Sequence, residues 1–127
     1  MLLCDRAQVA EGKLYVLGGG WNLAQAGMPV PVEDAVLVAV PWTATNEKHG
    51  FGLSLVDDDG QPVEINDNTI QIAGEFEVGR PPGIKPGTAL NQQMVFKFGM
   101  FTLPPGGYVF EFSISETVLG RTPFRVI

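Results

Sequence analysis

The stretch Ile70-Gln71-Ile72-Ala73-Gly74-Glu75-Phe76-Glu77-Val78 decides the fold class. Ile70, Ile72, Phe76 and Val78 fall on one side of a two-residue repeat, and Gln71, Glu75 and Glu77 fall on the other. Only an extended chain sends successive side chains to opposite faces, so this spacing describes a strand with one apolar and one polar side. Such a strand lies on a core and leaves its other face to solvent, the usual arrangement in antiparallel sheets.

The same repeat recurs elsewhere. Tyr108, Phe110, Phe112 and Ile114 alternate with Val109, Glu111, Ser113 and Ser115. Met94, Phe96, Phe98 and Met100 share a face with Lys97 opposite, and Phe51, Leu53 and Leu55 share another. Four further strands are expected at residues 3–9, 13–17, 35–42 and 123–127. Residues 35–42 are apolar on both faces and so belong in the middle of a sheet. Ala10-Glu11-Gly12 reads as a hairpin turn, with a glycine available for positive φ. Sixteen glycines and ten prolines punctuate the chain, and the longest stretch free of both is residues 108–119. Helices of ordinary length do not fit between them. The expected fold is therefore all-β: one domain over residues 1–127, a two-sheet antiparallel sandwich of about eight strands, immunoglobulin-like in general architecture.

Two segments read as loops. Residues 22–33 hold Gly27, Pro29 and Pro31 and are expected to carry the chain from one sheet to the other. Gly79-Arg80-Pro81-Pro82-Gly83-Ile84-Lys85-Pro86-Gly87 is the most turn-rich stretch, expected to be exposed and extended in the manner of polyproline.

Several segments together resemble an uncharacterised bacterial β-sandwich family, a domain of unknown function. They are Asp5-Arg6-Ala7 leading into Gly12-Lys13-Leu14-Tyr15-Val16-Leu17-Gly18, then Gly19-Gly20-Trp21 and Pro29-Val30-Pro31. Phe51-Gly52-Leu53-Ser54-Leu55-Val56-Asp57-Asp58-Asp59-Gly60 follows, and then Leu103-Pro104-Pro105-Gly106-Gly107-Tyr108-Val109-Phe110 with Pro123-Phe124-Arg125-Val126. The resemblance implies a fold and brings no catalytic residues with it.

Composition bounds the function. The chain carries a net charge of −6. Its eight cations, Arg6, Lys13, Lys48, Arg80, Lys85, Lys97, Arg121 and Arg125, form no run. Neither nucleic acid nor an anionic membrane is expected as a partner, since both select clustered Lys and Arg. Cys4 is the only cysteine, so no intrachain disulfide can form, which suits a reducing compartment. The charges of Asp5 and Arg6 come too early for a signal peptide, and a cytoplasmic location is expected.

Each chemical motif has a simpler structural account. Gly18-Gly19-Gly20 lacks the following Gly-Lys-Ser/Thr and helix of a phosphate loop, and is expected to be a strand end with close backbone packing. Asp57-Asp58-Asp59-Gly60 fails the calcium-loop register, which would place Leu55 and Asn66 at the first and last ligand positions, and is expected to be a turn. His49 and Cys4 lie far apart in sequence and supply neither a zinc ligand set nor a nucleophile with an orienting third group. Cys4 is expected as a small buried hydrophobe on the first strand. Glu75, Glu77 and Glu111 are expected on solvated faces rather than as a hydrolytic pair. Trp21, Trp42 and Tyr15 are expected to pack in the core or between sheets.

No catalytic, cofactor or metal residue is therefore expected, and no cofactor. The leading expectation is a non-catalytic module that binds a protein partner or its own copies through loop 79–87, with Arg80, Pro81, Pro82, Ile84 and Lys85 as the contact residues. A structural subunit of a larger assembly, such as a phage particle or protein shell, stands beside it, as does a small-ligand binder or enzyme with a pocket between the sheets.

Overall fold

Alternation becomes strand throughout the computed structural model, which describes residues 1–127. Its strands are β1 (Leu2–Cys4), β2 (Arg6–Ala10), β3 (Lys13–Leu17), β4 (Leu23–Ala24), β5 (Val30–Val40), β6 (Lys48–Asp57), β7 (Glu64–Ile65), β8 (Asn68–Thr69), β9 (Gln71–Glu77), β10 (Leu90–Phe101), β11 (Gly106–Ile114) and β12 (Thr117–Val126). One 3₁₀ turn, Trp42–Ala44, is the only helical piece. No helix is long and apolar enough to cross a membrane.

A three-stranded sheet runs β1-β5-β10 and a five-stranded sheet runs β4-β12-β11-β6-β9, with two separate hairpins, β2-β3 and β7-β8. Leu3, Val32, Val36, Met94 and Phe96 from the first sheet join Leu53, Leu55, Phe110, Phe112, Phe124 and Val126 from the second in one hydrophobic cluster. Phe110 is fully buried at its centre, with the rings of Phe98 and Phe124 at 5.1 and 5.9 Å. The β2-β3 hairpin adds a further layer. Ala7, Leu14 and Val16 pack on Cys4, Ala35 and Val95, on the other side of the three-stranded sheet. The Gln93 amide ties the hairpin tip down by donating to Gly12 O at 2.8 Å.

Twelve strands stand where about eight were expected, and β1, β4, β7 and β8 are only two or three residues long. The expected strand over residues 3–9 breaks at Asp5, whose N–H turns to the Leu17 and Gly18 carbonyls, so that the chain passes directly from one sheet to another. Pairing is antiparallel except between β4 and β12, which run parallel. The expected strand at residues 123–127 is the end of the ten-residue β12.

Met100, expected on the core face, is 64% exposed. A bulge between Lys97 and Gly99 leaves Phe98, which packs inward as expected, without a partner and reverses the alternation after it, so Phe101 packs inward in place of Met100. A second bulge, in β12, leaves Leu119 unpaired between Val118 and Gly120, opposite Phe112 and Ser113 of β11. The β11-β12 turn is made by Ser115 and Glu116, both at positive φ (49° and 68°), a conformation normally left to Asn and Gly.

Several expectations hold. β5 is central in its sheet, between β1 and β10. Glu11 and Gly12, at φ 52° and 71°, make the first hairpin turn. The expected crossover at residues 22–33 holds only in part: residues 25–29 cross from β4 in one sheet to β5 in the other, while Leu23–Ala24 form β4 and residues 30–33 already belong to β5.

Candidate functional site

The link from β5 to β6 organises one end of the molecule. Pro41 precedes the 3₁₀ turn in an extended conformation at φ −65°, and Thr45 closes the turn by donating both its N–H and its hydroxyl to Trp42 O, at 3.3 and 2.7 Å. Asn46 N–H then bonds Val78 O at 2.8 Å, which brings the start of loop 79–87 against the turn.

Arg80 fastens the two together. Its guanidinium carbon lies 3.9 Å from the Trp42 ring centroid, Nη2 donates to Trp42 O at 2.9 Å, and Nε donates to Thr45 Oγ1. The planar fork of arginine allows stacking and donation at once. The rest of the loop is not extended as expected. Pro81 O accepts from Ile84 N and Lys85 O from Thr88 N, while Gly83 and Gly87 sit at φ 82° and 89°. These are two successive turns with proline second and glycine third, the type II pattern, in which glycine supplies the positive φ that folds the chain back. Pro81, Pro82 and Lys85 are exposed and Ile84 is half-buried.

Beside the same turn lies an apolar trough of about 180 Å³, lined by residues 38–41, Ala44, His49, Phe76, Ile114 and Leu119. It runs between strands of both larger sheets. His49 Nε2 is 2.7 Å from Ala44 O. A carbonyl can only accept, so the imidazole proton sits on Nε2. The ring packs 5.4 Å from Phe76, and Nε2 is also 3.7 Å from Glu47 Oε1. Val38, Ala39, Ile114 and Leu119 also line an adjoining cavity of about 240 Å³ that reaches Met1. Along it β5 is open. β1 covers only Glu33, Asp34 and Ala35, and beyond Ala35 the strand pairs with β10 alone. Leu37 and Leu119 are 53% and 64% exposed there.

A second cluster surrounds β1. Cys4 is fully buried, as expected, and its thiol is pushed up to about 11, by burial first and then by Glu33, Asp34 and Asp5. A thiol so disfavoured as thiolate is a poor nucleophile. Glu33 Oε2 accepts from Ala7 N at 2.9 Å, and Lys97 Nζ stands 3.8 Å from Oε1. Asp34, next along, is fully buried and neither carboxylate oxygen has a partner. Burial pushes its pKa up to about 7, against the opposing pull of the Met1 ammonium and the Leu2 N–H. Trp21 Nε1 is also buried without a partner, while its ring meets Phe124 edge-on at 5.8 Å.

The remaining sequence candidates are apart from both clusters. Gly18 and Gly19 do pack closely: a Cβ at Gly18 would strike Asp5, and one at Gly19 would come within 2.8 Å of Val16 and 2.9 Å of Leu2. Asp57 Oδ1 accepts the N–H groups of Asp59 and Gln61, both at 2.9 Å, forming the expected turn. Asp58 accepts from Gly107 N and lies 3.6 Å from Arg125. Burial, then Asp57 and Asp58, raises the Tyr108 pKa. Glu75 and Glu77 are exposed on β9, an outer strand of its sheet, while Glu111 pairs with Arg121 at 2.9 Å. Tyr15 departs from expectation. It is 53% exposed, because the inner face of its hairpin carries Ala7, Leu14 and Val16 and the tyrosine alternates to the outside.

The trough, the bulged Leu119 and the buried Asp34 escaped the sequence. Leu119 and Asp34 each sit in an otherwise regular pattern, and only the pairing register distinguishes them. The trough joins residues from five separate segments.

A family model described as a family of unknown function, DUF6941, matches residues 1–127, and the chain belongs to that family. No curated protein matches the chain.

Proposed function

We propose that this member of a family of unknown function is a single-domain, two-sheet sandwich, immunoglobulin-like in general architecture, that works in the cytoplasm as a non-catalytic binding module. Its partner is a protein, held at the end formed by loop 79–87 and the apolar trough. One observation carries this: Arg80 locks the loop to the 3₁₀ turn, whose Ala44 walls the trough together with the preceding Pro41. A loop preset in this way loses little conformational entropy on binding, and it places Pro81, Pro82 and Lys85 beside apolar surface. Loops on a rigid sheet framework are where such domains carry recognition.

The test is affinity capture from the native host with the wild-type chain and with a variant in which residues 80–86 are replaced by a short glycine linker. A partner retained by the first and lost by the second supports the assignment. An identical partner set and oligomeric state in both would remove the loop from it.

Self-assembly into a larger particle is the second reading. It is favoured by the open edge of β5 beyond Ala35, since unpaired strand edges join neighbouring chains. Light scattering that shows a strict monomer at high concentration would count against it.

A further inference from the structure

Two acids adjoin on β5, and the pleat sends them to opposite faces. Glu33 meets Ala7 N–H and Lys97, whereas Asp34 meets hydrocarbon. Directly across from Asp34 are Leu3 on β1 and Phe96 on β10, and Val32 and Val36 flank it on its own strand; all four belong to the main hydrophobic cluster. A carboxylate held there without a hydrogen bond is strongly disfavoured, so the group must stay neutral or reach water.

The routes to water are unequal. β10 is paired with β5 over eleven positions, while β1 is paired over only three. Elements held by few pairings open locally at far lower cost than long central strands. Charges facing Asp34 are few. The Met1 ammonium and the Leu2 N–H approach from the β1 side and favour the charged carboxylate, but burial outweighs both. From β10 the neighbouring charge, Lys97, is on the opposite face with Glu33, as are the hairpin residues beyond Asp5. In the cluster it shares with the five-stranded sheet, Tyr108 is the only titratable side chain.

We propose that Asp34 is a pH-operated release for β1: the strand is docked while the carboxyl is neutral and detaches when it ionises, baring the outer edge of β5 from Glu33 onward. The bared edge joins the open stretch beyond Ala35 into one continuous strand-accepting surface. Leu3 leaves the core in the same step, and the Cys4 thiol, bonded at 3.5 Å to Glu33 O in the docked state, meets solvent.

Cys4 is the only cysteine and therefore reports the step directly. The experiment compares the rate of its modification by an aromatic disulfide reagent in wild type and in Asp34→Asn, from pH 5.5 to 8.5. Comparison at equal pH cancels the ordinary rise in thiolate, and the Asp34 charge, which itself disfavours the Cys4 thiolate, slows wild type and so works against the expected ratio. The expected ratio of wild type to variant is near one at the acid end and tenfold or more at the alkaline end. A ratio constant across the range overturns the proposal. Should Asp34→Asn fail to fold, the wild type alone decides by NMR. Loss of amide protection at Leu3 and Cys4 that follows the Asp34 carboxyl titration, while Met94 and Phe96 stay protected, supports it. A carboxyl midpoint below pH 5, or β1 protection that ignores the titration, overturns it.

Discussion

The Arg80 guanidinium covers the Trp42 ring at 3.9 Å while donating to the same residue's carbonyl at 2.9 Å. Side chain and backbone of one residue are thus held by one cation. Replacing Arg80 by Ala removes the stacking and two charge-assisted hydrogen bonds, partly offset by hydration of this exposed site. The expected cost is about 1–2 kcal/mol in urea unfolding. Arg80→Lys should recover less than half of it, because an ammonium cannot stack flat and fork together. Full recovery by lysine would reduce the contact to simple charge.

Glu116 sits at φ 68° in the two-residue turn between β11 and β12. A left-handed conformation costs an ordinary residue about 1 kcal/mol, and glycine nothing. Glu116→Gly is therefore expected to raise the thermal midpoint by several degrees, at roughly 1 kcal/mol, even though it deletes a side chain. Calorimetry on the purified variant checks the sign.

Gly18 combines positive φ, at 62°, with a Cβ position already occupied by the Asp5 carboxylate. Gly18→Ala should destabilise by about 2 kcal/mol, about 1 kcal/mol from the left-handed backbone and the rest from the clash with Asp5. Pairing it with Asp5→Ala should restore only the share due to the clash, so the double mutant remains below wild type in denaturant midpoint.

Asp34 gives stability an unusual pH slope. Its folded pKa of about 7 exceeds the unfolded carboxylate value, so the folded state binds the extra proton between roughly pH 4 and 7. Its contribution is fully present below that window and is lost as pH rises through about 7. Three pH units correspond to at most about 4 kcal/mol, fewer if β1 detaches first and relieves the burial. Asp34→Asn should match or trail wild type at pH 4 and exceed it at pH 8. Urea titrations of both proteins at the two pH values settle the crossing.

Much of the strand content was legible, because alternation is a local property. Ile72 and Phe76 face inward and Gln71, Glu75 and Glu77 outward, as their spacing requires. What alternation cannot carry is register. Phe98 and Leu119 are each one residue too many for their partner strands, and a bulge has no composition of its own. Proline and glycine in loop 79–87 announced a departure from regular structure, but the same residues serve an extended segment and a pair of tight turns. Hydrogen bonds from Ile84 and Thr88 separate the two. Asp34 was hidden for another reason. Beside Glu33 and before an apolar run, it reads as the charged start of a strand, and only the β1 pairing shows it sealed inside.

The bulge makes Leu119 subtractable. With Val118 already opposite Ser113 and Gly120 opposite Phe112, excising the residue between them would leave both pairs in place and β12 straight. A chain shortened by that one leucine should fold with an ordinary melting transition. It would lack the apolar knob that overhangs both cavities, and so would part the demands of folding from those of recognition in a single deletion.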